Sequence, residues 1–349
     1  MLRCPGTART ARPLRSLVEI GVTAGETPSN QRRAMLGKRW AVVVLAAVAV
    51  GTAAPPVGPA TAATTPDRPA SADAAQSGHR PVSTTAPVAG TAVGVTPAVG
   101  TEAILGPDTR VPVRPTTTFP ASAIVRLVFT GGQCTGFMIS ERTVATAAHC
   151  LHSGGSNGTW RTNVVAYPGH DGTTAPFGGC AALRLFVPSN WTSATNSPGG
   201  GDPAFDYGAA QLNCAIGTRT GWLGLGYSTQ PVTGSCTRTQ GYPADRPGQW
   251  ASDDAVRAED ASVLYVRHPL VGGLDGSPVS YTPDPDDWCP VRPPLVIPCP
   301  CPPPPPCVCP IPTVMAILSR GPSGVGPGAT NNIATRMTLP IINNFMQWR

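Results

Sequence analysis

The 349-residue sequence has few charged side chains, 13% of the total, and few aromatic ones, 6%. Residues 64–103 contain no aromatic residue and show neither a helical nor a strand period. Such a stretch cannot bury enough surface to offset its chain entropy, so it reads as a disordered Ala/Pro/Thr-rich linker or pro-segment. A concentrated basic face is also missing. Residues 1–103 hold 10 Lys/Arg against 5 Asp/Glu, and residues 104–349 hold 15 Arg against 14 Asp/Glu. The net charge of +6 therefore sits mostly in the leader, and no nucleic-acid partner is expected. The apolar run Trp40–Val50 is too short for a membrane span of about 20 residues, so no stable membrane anchor is expected.

That run fits a different role. Lys38 and Arg39 precede it as a positive n-region, and Ala60–Ala62 offers a small-residue cleavage site, the three parts of a signal peptide. Within an N-terminal extension of residues 1–63, Met35 is a candidate start and 35–62 the signal. Export gives the cysteines a meaning. One of the 11, Cys4, lies upstream of the signal, and the other ten are an even number in an oxidising compartment, where disulfides are expected.

From Ile104 onward short strand-like runs recur between Gly, Pro, Asn and Asp: "SAIVRLVF", "CTGFMIS", "TVATAA", "TNVVAYPG", "AALRLFVP", "YGAAQLN", "SCTRTQGYP", "SVLYVRHP", "GSPVSY" and "TVMAILS". Many short strands with little helical periodicity argue for an all-β sandwich or barrel. The closing "LPIINNFMQWR" has apolar residues at helical spacing and predicts a terminal helix. Residues 283–312 interrupt the pattern with a Pro/Cys-rich insertion that contains five consecutive prolines. A segment so short of backbone donors cannot sit inside a sheet and should project as a loop. Its C-x-C pairs read as disulfides, with soft-metal binding and a proline-rich docking arm as alternatives.

The most informative stretch is "TVATAAHC", where an apolar strand ends and presents His149 directly before Cys150. Cys134 lies shortly upstream. A bridge between Cys134 and Cys150 would pin the histidine loop, worth about 3 kcal/mol in the loop-entropy model. The whole string "CTGFMISERTVATAAHC" resembles the histidine region of chymotrypsin-fold, trypsin-like serine peptidases. "ILGPDTRVPVRPTTTFPASAIVRL", "YPGHDGTTAPFG", "FDYGAAQL" and "GYPADRPGQW" are similar, in order, to the V8-like or glutamyl-endopeptidase branch of that family. The resemblance implies two six-stranded antiparallel β-barrels with a C-terminal helix over residues 104–349. It also implies peptide or protein substrates, a monomer, no cofactor and no metal.

The family works through His, Asp and Ser in that chain order. His149 matches the histidine. For the aspartate, Asp206 stands before an alternating strand and is preferred to Asp202 in its Gly/Pro turn. The serine does not appear where the family has it: in "VGGLDGSPV" the nucleophile slot holds Asp275, with Gly273 in the oxyanion-hole position. A carboxylate attacking a peptide carbonyl would give an unstable anhydride, and its charge lies where the oxyanion develops. Ser277 is the alternative nucleophile, expected on the same side of a strand but about 6–7 Å further along. The positions that would recognise an acidic P1 side chain are Val271 and Leu318, so any S1 pocket is expected to be apolar. His268 either approaches that pocket or lies on a surface strand. Leu274 lacks the carboxylate that pairs with a freed N-terminus in chymotrypsin-like zymogens.

Three readings follow. The first is an exported homologue with its cleft kept and its hydrolysis impaired. The second is an active endopeptidase using Ser277 or a rearranged loop. The third is a scaffold for the Pro-rich arm and a partner of that arm.

Overall fold

The computed structural model describes residues 78–87, 103–193, 201–281 and 312–349. The signal segment and nearly all of the 283–312 insertion lie outside these residues, as do the cysteines of that insertion.

The first sheet contains β1 (Pro81–Thr85), β3 (Ile124–Phe129), β4 (Gly132–Met138), β5 (Thr143–Thr146), β6 (Val165–Pro168), β7 (Cys180–Pro188) and β8 (Gly208–Leu212). Its order is β1-β7-β6-β3-β4-β5-β8, and a further β7–β8 pairing closes six of the strands into a barrel. The closed ladder explains why β4 and β5 are buried at every position. The second sheet is built from β2 (Val111–Pro112), β10 (Cys236–Gly241), β11 (Trp250–Ala255), β12 (Ala258–Glu259), β13 (Val263–Val266), β14 (Pro278–Tyr281), β15 (Thr313–Arg320) and β16 (Asn332–Arg336), with β9 (Gly224–Leu225) parallel to β15. Its order is β12-β13-β16-β15-β14-β10-β11-β2, a curved half-barrel rather than a second closed ladder. All of the long pairings are antiparallel, and the architecture is the chymotrypsin-like fold that the family resemblance implied.

Within the stretch expected to lack order, one piece is a strand. β1 pairs antiparallel with the outer half of β7, Pro81 against Pro188 through Thr85 against Arg184. Its burial alternates between exposed and half-buried, so hydrophobic pattern gave no sign of it. What holds it is main chain: Ser189 N–H donates to Arg80 O at 2.7 Å, and Asn344 Nδ2 donates to His79 O.

Two disulfides are described, Cys134–Cys150 and Cys180–Cys214. The first joins β4 to the turn that follows β5. The second joins the start of β7 to the chain just after β8.

The expected terminal helix forms as α3 (Leu339–Gln347), after the short α1 (Ser189–Ser193) and α2 (Gly217–Thr220). It buries Ile341, Ile342 and Phe345 and leaves Leu339 and Met346 exposed, the split that its apolar spacing predicts. Phe345, with Trp348 just past the helix end, encloses Tyr207, the two ring centroids lying 5.6 and 5.9 Å away. Asn344 Nδ2 donates to the Tyr207 hydroxyl at 2.8 Å, and Thr143 Oγ1 at the start of β5 donates to Trp348 O. The helix thus braces the segment around residue 206 and the strand that leads to residue 149. Phe345→Ala should lower stability by about 3–5 kcal/mol, the usual cost of deleting a buried aromatic ring. Urea unfolding measures it, and a loss below about 1 kcal/mol would show that the helix does not brace the barrel.

Candidate active site

β5 ends at Thr146, and after Ala147 a single 3-10 turn, Ala148–Cys150, reverses the chain. The turn leaves His149 partly exposed between two buried neighbours, with 18% of its side chain accessible. The disulfide at Cys150 fixes the turn from behind. On the next strand over, a short 3-10 turn, Pro203–Phe205, delivers Asp206 just before β8. Asp202 caps that turn by accepting from Ala204 N–H and remains exposed, whereas Asp206 is fully buried. Of the two sequence candidates, the structure therefore brings Asp206 and not Asp202 to His149.

Both oxygens of Asp206 contact the histidine. Oδ1 accepts from the His149 backbone N–H at 3.0 Å, and Oδ2 accepts from Nδ1 at 2.8 Å. A carboxylate only accepts, so Nδ1 carries the proton and Nε2 is the nitrogen turned outward. Burial opposes ionisation of Asp206, but the His149 charge, the hydrogen bonds and Arg320 outweigh it and hold the carboxyl below its ordinary value. Ser319 Oγ donates to Oδ2 as a further support.

Asp275 sits in a loop made of two linked tight turns. Leu274 N–H donates to Val271 O, and Ser277 N–H donates to Leu274 O, each at 3.0 Å. The third residue of each turn is a glycine with positive φ, Gly273 at +90° and Gly276 at +83°, a conformation that type II turns reserve for glycine. Space makes the same demand. A Cβ at Gly276 would lie 2.2 Å from Thr135 O, and one at Gly273 would lie 2.4 Å from Tyr242 O. Thr135 locks the loop by donating its N–H to Asp275 O and its hydroxyl to Gly273 O.

This loop points the buried Asp275 carboxylate at the histidine, with Oδ1 3.8 Å from His149 Nε2. That distance is within range of charge attraction but too long for a hydrogen bond. Burial pushes the His149 pKa down. Asp206, through its charge and its hydrogen bond, outweighs that effect, Asp275 adds to it, Arg320 opposes it, and the net shift is upward. Two carboxylates, His149 and Arg320 sum to zero charge when the imidazole is protonated.

Several expectations need correcting. The stretch 275–277 is a turn and not a strand, because the positive φ at Gly276 breaks the extended backbone. Ser277 is fully buried, and its hydroxyl faces Gly241, where an added Cβ would come within 2.3 Å of it. His268 is not on a surface strand. It is fully buried, with its two ring nitrogens 2.9 Å from the hydroxyls of Thr237 and Ser252, and burial lowers its pKa. Val271 and Leu318 lie together in the apolar cluster of the second sheet, with Leu274. Cys134, His149 and Cys150 form a close group of metal-ligand types, but the disulfide leaves no thiolates to bind a metal. Ser319, Arg320 and Trp191, whose ring lies 6.5 Å from that of His149, were not singled out from the sequence.

Comparisons with known proteins agree with this geometry. The Trypsin family model matches residues 113–264, a span that takes in His149 and Asp206. The chain is 30% identical over 250 residues to the glutamyl endopeptidase of Bacillus licheniformis, covering 71% of this chain and 69% of that one. It is 28% identical over 258 residues to a Bacillus subtilis protein named extracellular metalloprotease, covering 70% and 69%. Among solved structures, a Glu endopeptidase in complex with MPD has the same fold, with a TM-score of 0.55 and 20% identity, over 71% of this chain and all of that one.

If both carboxylates hold His149 charged, Asp275→Asn should move its titration to lower pH, as read by NMR of the imidazole nitrogens. The sign for stability follows from the raised value. The ion-pair contribution is intact below the ordinary 6.5 and is lost as pH climbs through the folded-state value, so the stability difference between wild type and Asp275→Asn should change over that alkaline side. An unmoved titration would show that Asp275 does not act on the histidine. The identity, the matched family model and the shared fold agree: the chain belongs to the trypsin-like serine peptidases, on their V8-like, glutamyl-endopeptidase branch.

Proposed function

We propose that the protein is an exported serine-peptidase homologue that keeps a peptide-binding cleft but has lost hydrolysis, because Asp275 stands where the family's serine attacks. The observation that carries this reading is the Asp275 carboxylate facing His149 Nε2 at 3.8 Å. In the family that nitrogen removes the serine proton. Here it faces a carboxyl group instead of a hydroxyl, and the charge of that group favours the imidazolium, which cannot act as a base. A carboxylate that did attack would form an anhydride, and its charge would repel the developing oxyanion. The Gly273 and Asp275 N–H groups are the oxyanion-hole donors on this reading.

Rescue by Ser277 finds little support, since its hydroxyl is buried against Gly241. Val271 and Leu318 in place of donors make an apolar P1 contact the fitting one, because a glutamate buried there would be unpaired. Export rests on the 35–62 signal pattern and on the extracellular name of one relative. The 283–312 insertion is read as a projecting arm.

Labelling of the mature protein with a fluorophosphonate probe, followed by peptide mapping, tests the chemistry. Wild type should take no label, and Asp275→Ser should be labelled at residue 275 to near stoichiometry. Label on Ser277 in wild type would overturn the proposal.

A further inference from the structure

Beside the Gly273 turn lies a cavity of about 400 Å³ whose wall includes Arg126, Gln133, His170, Tyr242 and Arg246. It adjoins the site directly. Gln133 Nε2, Tyr242 O and Ala244 N are the atoms that crowd Gly273, at 2.9, 2.4 and 3.2 Å from where a Cβ would stand, and all three residues line the cavity. Asp275 is two residues further along the same loop.

The charges in this wall are unequal. Arg246 pairs with Asp108 and, at 3.7 Å, with Asp245, and both acids also pair with Arg110. Those four charges cancel. Arg126 has no acidic partner among the described residues. Its Nε donates to Gln133 Oε1 at 2.9 Å, and Gln133 is held in turn by donating to Tyr242 O at 3.2 Å. The Arg126 side chain is thereby positioned from one flank, while its terminal nitrogens make no hydrogen bond among the described residues. Asp171, next to His170 in the chain, bonds instead to Thr173 N–H and to Thr174 through both N–H and hydroxyl, and makes no ion pair with Arg126. His170 adds a second donor. Its Nδ1 accepts from Gly172 N–H at 3.0 Å, which puts the proton of the neutral ring on Nε2.

A held guanidinium with a free planar fork matches a carboxylate in geometry and charge. A cavity of this size is at the small end of ligand sites and suits one side chain or chain end. We propose that the cavity is a carboxylate subsite in which Arg126, assisted by His170, takes an acidic side chain or the free C-terminus of a peptide lying in the cleft. The inference rests on the reading of the protein as a peptide binder and adds a preference to it.

The experiment is a selection from a random nonapeptide display library with free C-termini, run on the mature wild type and on Arg126→Gln. Wild type should enrich Asp or Glu at one position, or any sequence that presents its terminal carboxylate, and the variant should lose that bias. Synthetic versions of the selected peptides, as free acids, C-terminal amides and Glu-to-Gln analogues, separate the two sources of carboxylate. The preferred form should bind Arg126→Gln about tenfold or more weakly, as expected for a lost charge-assisted hydrogen bond. Arg126→Lys keeps the charge without the fork and should fall between the two, and it replaces the Gln variant if that one does not melt cooperatively. Peptides selected equally by both proteins with no acidic bias would overturn the subsite and leave the cleft standing. No peptide enriched by either protein would overturn both.

Discussion

Asp206 carries its charge where water does not reach, and the chain around it is arranged to compensate that charge. An unpaired buried carboxylate costs several kcal/mol. Here the backbone N–H and ring N–H of His149 and the hydroxyl of Ser319 all donate to it, with the Arg320 charge nearby. These supports come from two parts of the fold, the turn after β5 and the end of β15, while α3 braces the adjoining Tyr207. The two sheets must therefore meet at this place for the Ser319 and Arg320 supports to form. The His149–Asp206 pair is as much a constraint on folding as a piece of chemistry, and on the function proposed here this is why it persists.

The loop at Asp275 obeys a separate constraint. Its shape is set by backbone: two turns, two glycines at positive φ, and the clamp from Thr135. None of these contacts uses the side chain of residue 275. The scaffold therefore does not depend on which side chain stands there, and on the function proposed here the aspartate changes the charge of the site. Where the family needs a neutral imidazole waiting for a proton, this site holds an imidazole between two carboxylates.

How much of the fold and site could be read beforehand depended on whether the signal was local. His149 was legible because "TVATAAHC" places it at the end of an apolar strand beside a cysteine, and Asp206 because it precedes the alternating β8. Ser319 was not, since β15 is buried at nearly every position and shows no face to assign. β11, "WASDDA", was hidden by its two acids, which find partners only in the fold: Asp253 with Arg238 directly opposite, and Asp254 with Arg257 and the Arg267 N–H. His268 read as a surface residue because the hydroxyls that satisfy it arrive from Thr237 and Ser252, well away in sequence. β1 was illegible because its contribution is backbone pairing along an edge.

That edge has a consequence of its own. β7 pairs with β6 only at Cys180 and Ala181, so the far half of β7 would otherwise offer a row of open donors and acceptors. Open strand edges recruit foreign strands and seed aggregation. By lying along Arg184–Pro188, residues 81–85 act as a built-in guard, and a form of the protein stripped of them would have a template for strand addition on its first barrel.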